Sequence, residues 1–133
     1  MSVTWAATAL QSGRFCAVER CSEVSELADH FCALRSRGQG YLEVRLPDAE
    51  FPLLALGFRG DLGVLHLFDD AEGASLLVGD GIAAAEAVVD VPVADDLAAF
   101  GGDFVMSVDR AWELVHRFIA TGVPGGLGEW CGL

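Results

Sequence analysis

Apolar residues recur at steps of three and four in two stretches of the chain and alternate with polar ones in several others. The clearer helical stretch lies within Phe104–Trp130. There Val108, Ala111, Trp112, Val115, Phe118 and Ile119 share one face, and Asp109, Arg110, Glu113, His116 and Arg117 take the other. Ser107 suits the N-cap, and Asp109 places negative charge in the first turn, where the helix dipole favours it. Gly122 can adopt the left-handed conformation that ends a helix, and Pro124 keeps it from resuming. The pattern predicts a helix over about 107–120 with its apolar face in the core. A second amphipathic helix is predicted over about 22–36, capped by Ser22, with Val24, Leu27, Ala28, Phe31 and Leu34 on one face. Arg35 and Arg37 sit near its C-terminal end, and Gly38 and Gly40 close it.

From Gly40 the period becomes alternating. Tyr41, Glu43 and Arg45 alternate with Leu42, Val44 and Leu46, the pattern of a half-buried strand. Phe51–Phe58 and Leu62–Phe68 are apolar runs joined by Arg59-Gly60-Asp61, which reads as a hairpin with Gly60 and Asp61 in its turn. A turn at Asp69–Gly73 leads into Ala74–Val78, completing a four-strand meander between 41 and 79. A fifth strand is expected near 86–91, and Asp95–Gly102 is expected as loop. Val3–Leu10 suits an edge strand or an extended lead-in, and Phe15–Val18 a short extended piece. The fold class expected is α+β: an antiparallel sheet of about five strands packed against two helices, in one domain spanning 1–133.

Charge changes this picture more than any other property. The chain has twenty acidic residues against eight arginines, a formal net charge of −12. Residues 1–45 balance five acids with five arginines. Segment 46–106 holds twelve acids against Arg59 alone, hence −11. Phosphate backbones need the opposite sign, so nucleic acid is not an expected partner, whereas a basic protein would be attracted. Apolar residues make up 53% of the chain, yet no apolar run reaches the length that spans a bilayer, so no membrane partner is expected. The N-terminus lacks the features of a signal peptide, and the cytoplasm is the simplest location. Cys16, Cys21, Cys32 and Cys131 show no Cys-x-x-Cys spacing and are expected to be small buried thiols.

Candidate chemistry is sparse. His30, His66 and His116 lack metal-site spacing, so no metal is expected. No Gly-x-Ser-x-Gly elbow occurs, and the adjacent carboxylates Asp69 and Asp70 point to opposite sides if they continue a strand. Gly79-Asp80-Gly81-Ile82-Ala83-Ala84 has the outline of a dinucleotide-binding turn, but the chain beyond it lacks the helix and parallel strand that this motif needs. No cofactor is expected, and no catalytic residue is assigned.

The chain also resembles immunity-protein family one of bacterial polymorphic toxin systems. The resemblance rests on FPLLALGFRGDLGVLHLF (51–68) with Asp69-Asp70 after it, LLVGDG (76–81), VVDVPV (88–93), the Ser107-x-x-x-Ala111-Trp112 helix start, and Phe118-Ile119-Ala120-Thr121-Gly122 with Pro124 and Glu129-Trp130. It covers roughly residues 40–131, and the first helix fits loosely. It implies a non-catalytic α+β protein that binds a cognate toxin of the deaminase or nuclease class and masks its active site. On that view Asp69, Asp70, Glu72, Asp80, Asp95 and Asp96 oppose a basic toxin surface, with Glu129 beside them. Trp130 is either an aromatic anchor or a cap on the core. The alternative is a small hydrolase or ligand-binding domain with a pocket between sheet and helices. The residue pattern leaves the oligomeric state open.

Overall fold

In chain order the elements are β1 (Ser2–Thr8), β2 (Phe15–Glu23), α1 (Val24–Arg37), β3 (Gln39–Arg45), β4 (Leu53–Arg59), β5 (Leu62–Phe68) and β6 (Ala74–Leu77). They continue with β7 (Val88–Val93), β8 (Asp96–Gly101), β9 (Met106–Ser107), α2 (Val108–Thr121) and β10 (Trp130–Gly132). This is a computed structural model, and it describes residues 1–70 and 72–133. Ala71, in the turn expected at 69–73, lies outside the described residues. Antiparallel pairing in the order β10-β6-β5-β4-β3-β1-β2, with β9 added to β5, forms one eight-stranded sheet, while β7 and β8 form a separate two-stranded sheet. The class is α+β, as the sequence pattern indicates, with more strands than five.

The meander β3 to β6 and the hairpin turn at Gly60 (φ +61°) follow the alternation read from the sequence. α2 begins as expected: the Ser107 hydroxyl accepts the Arg110 N–H at 3.2 Å, and Gly122 closes the helix in the left-handed conformation. Its buried face adds Leu114 to the apolar set and leaves Trp112 half-buried.

Several expectations are corrected. Residues 15–23 form a full strand, so α1 starts at Val24, and its N-cap Glu23 makes no side-chain cap bond. Ser22 does not cap, because its hydroxyl accepts the Trp5 indole N–H at 2.9 Å and donates to the Glu23 carbonyl. β1 is an interior strand between β2 and β3, with Val3–Thr8 buried throughout. Residues 96–101, expected as loop, are β8, and 130–132 form a strand against β6. All four cysteines are free, but Cys16, Cys21 and Cys32 are exposed and Cys131 is half-buried, against the expectation of buried thiols. The first two lie on an edge strand with little above it, and Cys32 lies on the solvent side of α1. No helix among the described residues is long and apolar enough to cross a membrane.

Both helices cover the same face of the large sheet. Trp5, Leu42, Leu54, Leu56, Phe58, Leu65 and Leu77 meet Leu27, Phe31, Leu34, Leu114, Val115 and Phe118 in one core. Phe31 and Trp112 stack at 4.2 Å and join the helices, and Arg35 ties α1 to Asp61 and Asp109. Across the opposite face runs the chain from Gly79 to Val105, carrying the β7–β8 hairpin. Its inner residues Val89, Val91 and Phe100 pack with Val64, Leu76 and Val105 in a second, smaller core. This excursion lies close against the sheet because a glycine receives it: a Cβ on Gly57 would stand 2.1 Å from the Pro92 carbonyl oxygen. Gly79 and Gly102 allow close approaches within the excursion itself, to the Val105 and Ala84 carbonyls.

Candidate functional site

The structure separates the sequence-predicted residues into distinct groups. Strand register fixes the two ends of the sheet: Leu53 pairs with Phe68 at one end, and Arg59 with Leu62 at the other. Seven-residue strands set these ends roughly 20 Å apart. Asp69, Asp70 and Glu72 lie at the Phe68 end, all exposed. Asp70 is committed to its own turn, since Oδ1 accepts the N–H groups of Glu72 and Gly73 at 2.8 and 2.6 Å. Those bonds favour the ionised form and hold the carboxyl below its usual range.

Asp80, Asp95 and Asp96 lie toward the other end, and two of them carry structural bonds. Asp80 accepts from Ile82 N–H and Ser107 N–H, both at 3.1 Å, placing its charge at the start of α2 where the helix dipole favours it. Asp95 accepts the Phe15 N–H at 2.7 Å and pins the β7–β8 tip to the start of β2. Asp96 opens β8 and is exposed. Glu129 is exposed beside the far edge strand, its carbonyl accepting from Val78 N–H. Trp130 is half-buried against the main core, with its indole N–H donated to the Pro124 carbonyl at 2.9 Å. That bond and packing are those of a residue capping the core.

What unites the acidic segment is the scarcity of ion pairs. Among the described residues, Asp61 is the one carboxylate of 46–106 in an ion pair. The remaining ion pairs use Glu19, Glu23, Asp109 and Glu113, which belong to the charge-balanced flanks. The fold therefore leaves the segment's negative charge facing solvent.

The three histidines lie in separate settings. His30 Nε2 lies 2.8 Å from the Thr8 carbonyl, His116 packs on Trp112, and His66 sits between Phe68 and Phe100. Burial depresses the His66 pKa, so its neutral form is favoured. No group of three potential metal ligands occurs among the described residues. A groove of about 460 Å³ lies on the uncovered part of the second sheet face and brings Glu19, Glu43 and Glu50 around Phe51 and Leu53. Arg45 clamps Glu19 at 2.7 and 3.0 Å and lowers its pKa, and Tyr41 donates to Glu43 at 2.7 Å. Burial, helped by that carboxylate, raises the Tyr41 phenol far above its usual value. A second cleft of about 300 Å³ opens where the end of α1, the β1–β2 loop and the β7–β8 tip meet, with Arg37 opposite Asp95 and Asp96.

Sequence reasoning missed the β7–β8 hairpin as a surface element. Its signal was the apolar run Val88–Val93, broken only by Asp90, while its partner strand is muted by two alanines and a glycine. No protein-family model matches the chain, and no curated protein matches it.

Proposed function

We propose that this chain is a non-catalytic immunity protein that binds a cognate toxin with a basic surface and silences it by covering the active site. The observation that carries the proposal is the charge of segment 46–106, of which Asp61 alone forms an ion pair among the described residues. Net charge of one sign weakens the compact fold by self-repulsion, while a basic partner turns the same field into faster and more selective association. The toxin class, deaminase or nuclease, comes from the resemblance of residues 40–131 to the immunity family. The carboxylates of the open groove favour the rival hydrolase reading less, because Glu19 and Glu43 are already bound by Arg45 and Tyr41.

The test is co-expression with the toxic domain encoded beside this chain: cells survive with the wild type and die without it. Death in both cases sinks the proposal. In kinetic terms, Asp69→Lys with Asp70→Lys slows association at low salt and flattens its salt dependence, because these exposed carboxylates contribute to steering.

A further inference from the structure

We infer that the outer face of the β7–β8 hairpin is the surface that docks the basic partner. Hairpin register assigns the two faces. Val89–Phe100 and Val91–Ala98 point toward the sheet, so Val88–Gly101 and Asp90–Ala99 form the opposite side together with Leu97, whose partner Pro92 is buried. On that side Val88 is 71% exposed and Leu97 54%, with exposed Ala99 between their rows. A two-stranded sheet that leaves two large aliphatic side chains in water, both edges unpaired, presents an unfinished apolar surface.

Charge specifies what completes it. Asp90 sits within the apolar rows, while Glu86 and Asp103 flank the hairpin base and Asp96 its tip. None of these four carboxylates has an ion-pair partner among the described residues. An apolar centre with a mainly acidic rim, Arg37 standing across the cleft at the tip, repels a second copy of this acidic chain and fits a basic protein surface that carries an apolar patch. The hairpin is also held in place: Pro92 approaches Gly57 closely, and Val89, Val91 and Phe100 pack on Val64 and Leu76, so little ordering is needed on docking.

This inference rests on the toxin-binding reading, and the experiment separates the two. The toxin domain encoded beside this chain is the probe, with association and dissociation followed separately. Val88→Ser with Leu97→Ser changes no charge and touches exposed positions, so thermal melting should match the wild type. The expected result is dissociation roughly 10- to 100-fold faster with association unchanged. Asp90→Lys, on the same face, should also speed dissociation, whereas Asp69→Lys with Glu72→Lys at the other end of the sheet, which spares the turn bonds of Asp70, should slow association alone. If the wild type binds and neither hairpin variant changes dissociation, docking lies elsewhere and the toxin-binding reading survives. If the wild type does not bind, both fall.

Discussion

Replacing Gly57 by alanine should lift the β7–β8 hairpin off the sheet. The added Cβ would stand 2.1 Å from the Pro92 carbonyl oxygen. Ordinary carbon–oxygen contacts run about 3.3–3.6 Å, so β7 must withdraw by more than about 1 Å. The obstacle is backbone, which cannot turn aside as a long side chain can. Withdrawal opens a gap over Val91 and Val64, both fully buried, and a gap of about 0.5–1 Å forfeits a quarter to a half of the dispersion contact. Adding overpacking strain of about 1–3 kcal/mol gives an expected destabilisation of about 2–4 kcal/mol. For a chain of this size that lowers Tm by roughly 6–15 °C. Urea unfolding measures the first quantity, and hydrogen exchange locates it. Amides of β7 and β8 should lose protection, while Leu54 and Leu65, bonded within the large sheet, keep theirs. Gly125→Ala is the control, since nothing lies within 4 Å of its Cβ. A Gly57→Ala protein within about 0.5 kcal/mol of that control, with unchanged β7 protection, would refute the packing argument.

Two further outcomes test the same region. Ala94, at the tip of the hairpin, holds φ +55°, a left-handed conformation that costs an L-residue about 1–2 kcal/mol. Ala94→Gly should therefore raise stability by about 0.5–1 kcal/mol after the added chain entropy is subtracted, and an unchanged or lower urea midpoint would show that the tip is not strained. His66, buried under Phe100, has its pKa depressed below the unfolded value of about 6.5. Below that pH the unfolded chain binds the extra proton, so this contribution is complete above about pH 6.5 and is lost as pH falls toward the folded pKa. His66→Leu lacks this term, so its stability relative to wild type should rise between pH 7.5 and 5.5. Parallel curves for the two proteins would contradict the assignment.

By itself the sequence determined what depends on neighbours a few residues apart. Helix α2 was readable because its stripe, its Ser107 cap and its Gly122 stop are local, and each closes hydrogen bonds within one turn. The β3–β6 meander was readable because short turns dictate which strand follows which. The clustering of acids in 46–106 needed only counting. Tertiary structure decided the rest. Ser22 reads as a cap, but a tryptophan seventeen residues away in β1 claims its hydroxyl. β1 looked like an edge because nothing in its own residues announces that β2 and β3 flank it. β8, rich in alanine and glycine, becomes a strand because β7 pairs with it and the sheet beneath holds the pair in place. Most consequential is the fate of the acidic segment. Its charge could be read, but only long-range packing could show that, among the described residues, Asp61 with Arg35 is its one ion pair, or that its loops part to opposite ends of the sheet. Local hydrogen bonds are written in short stretches of residues, whereas ion pairing and burial depend on which distant segments the fold brings together.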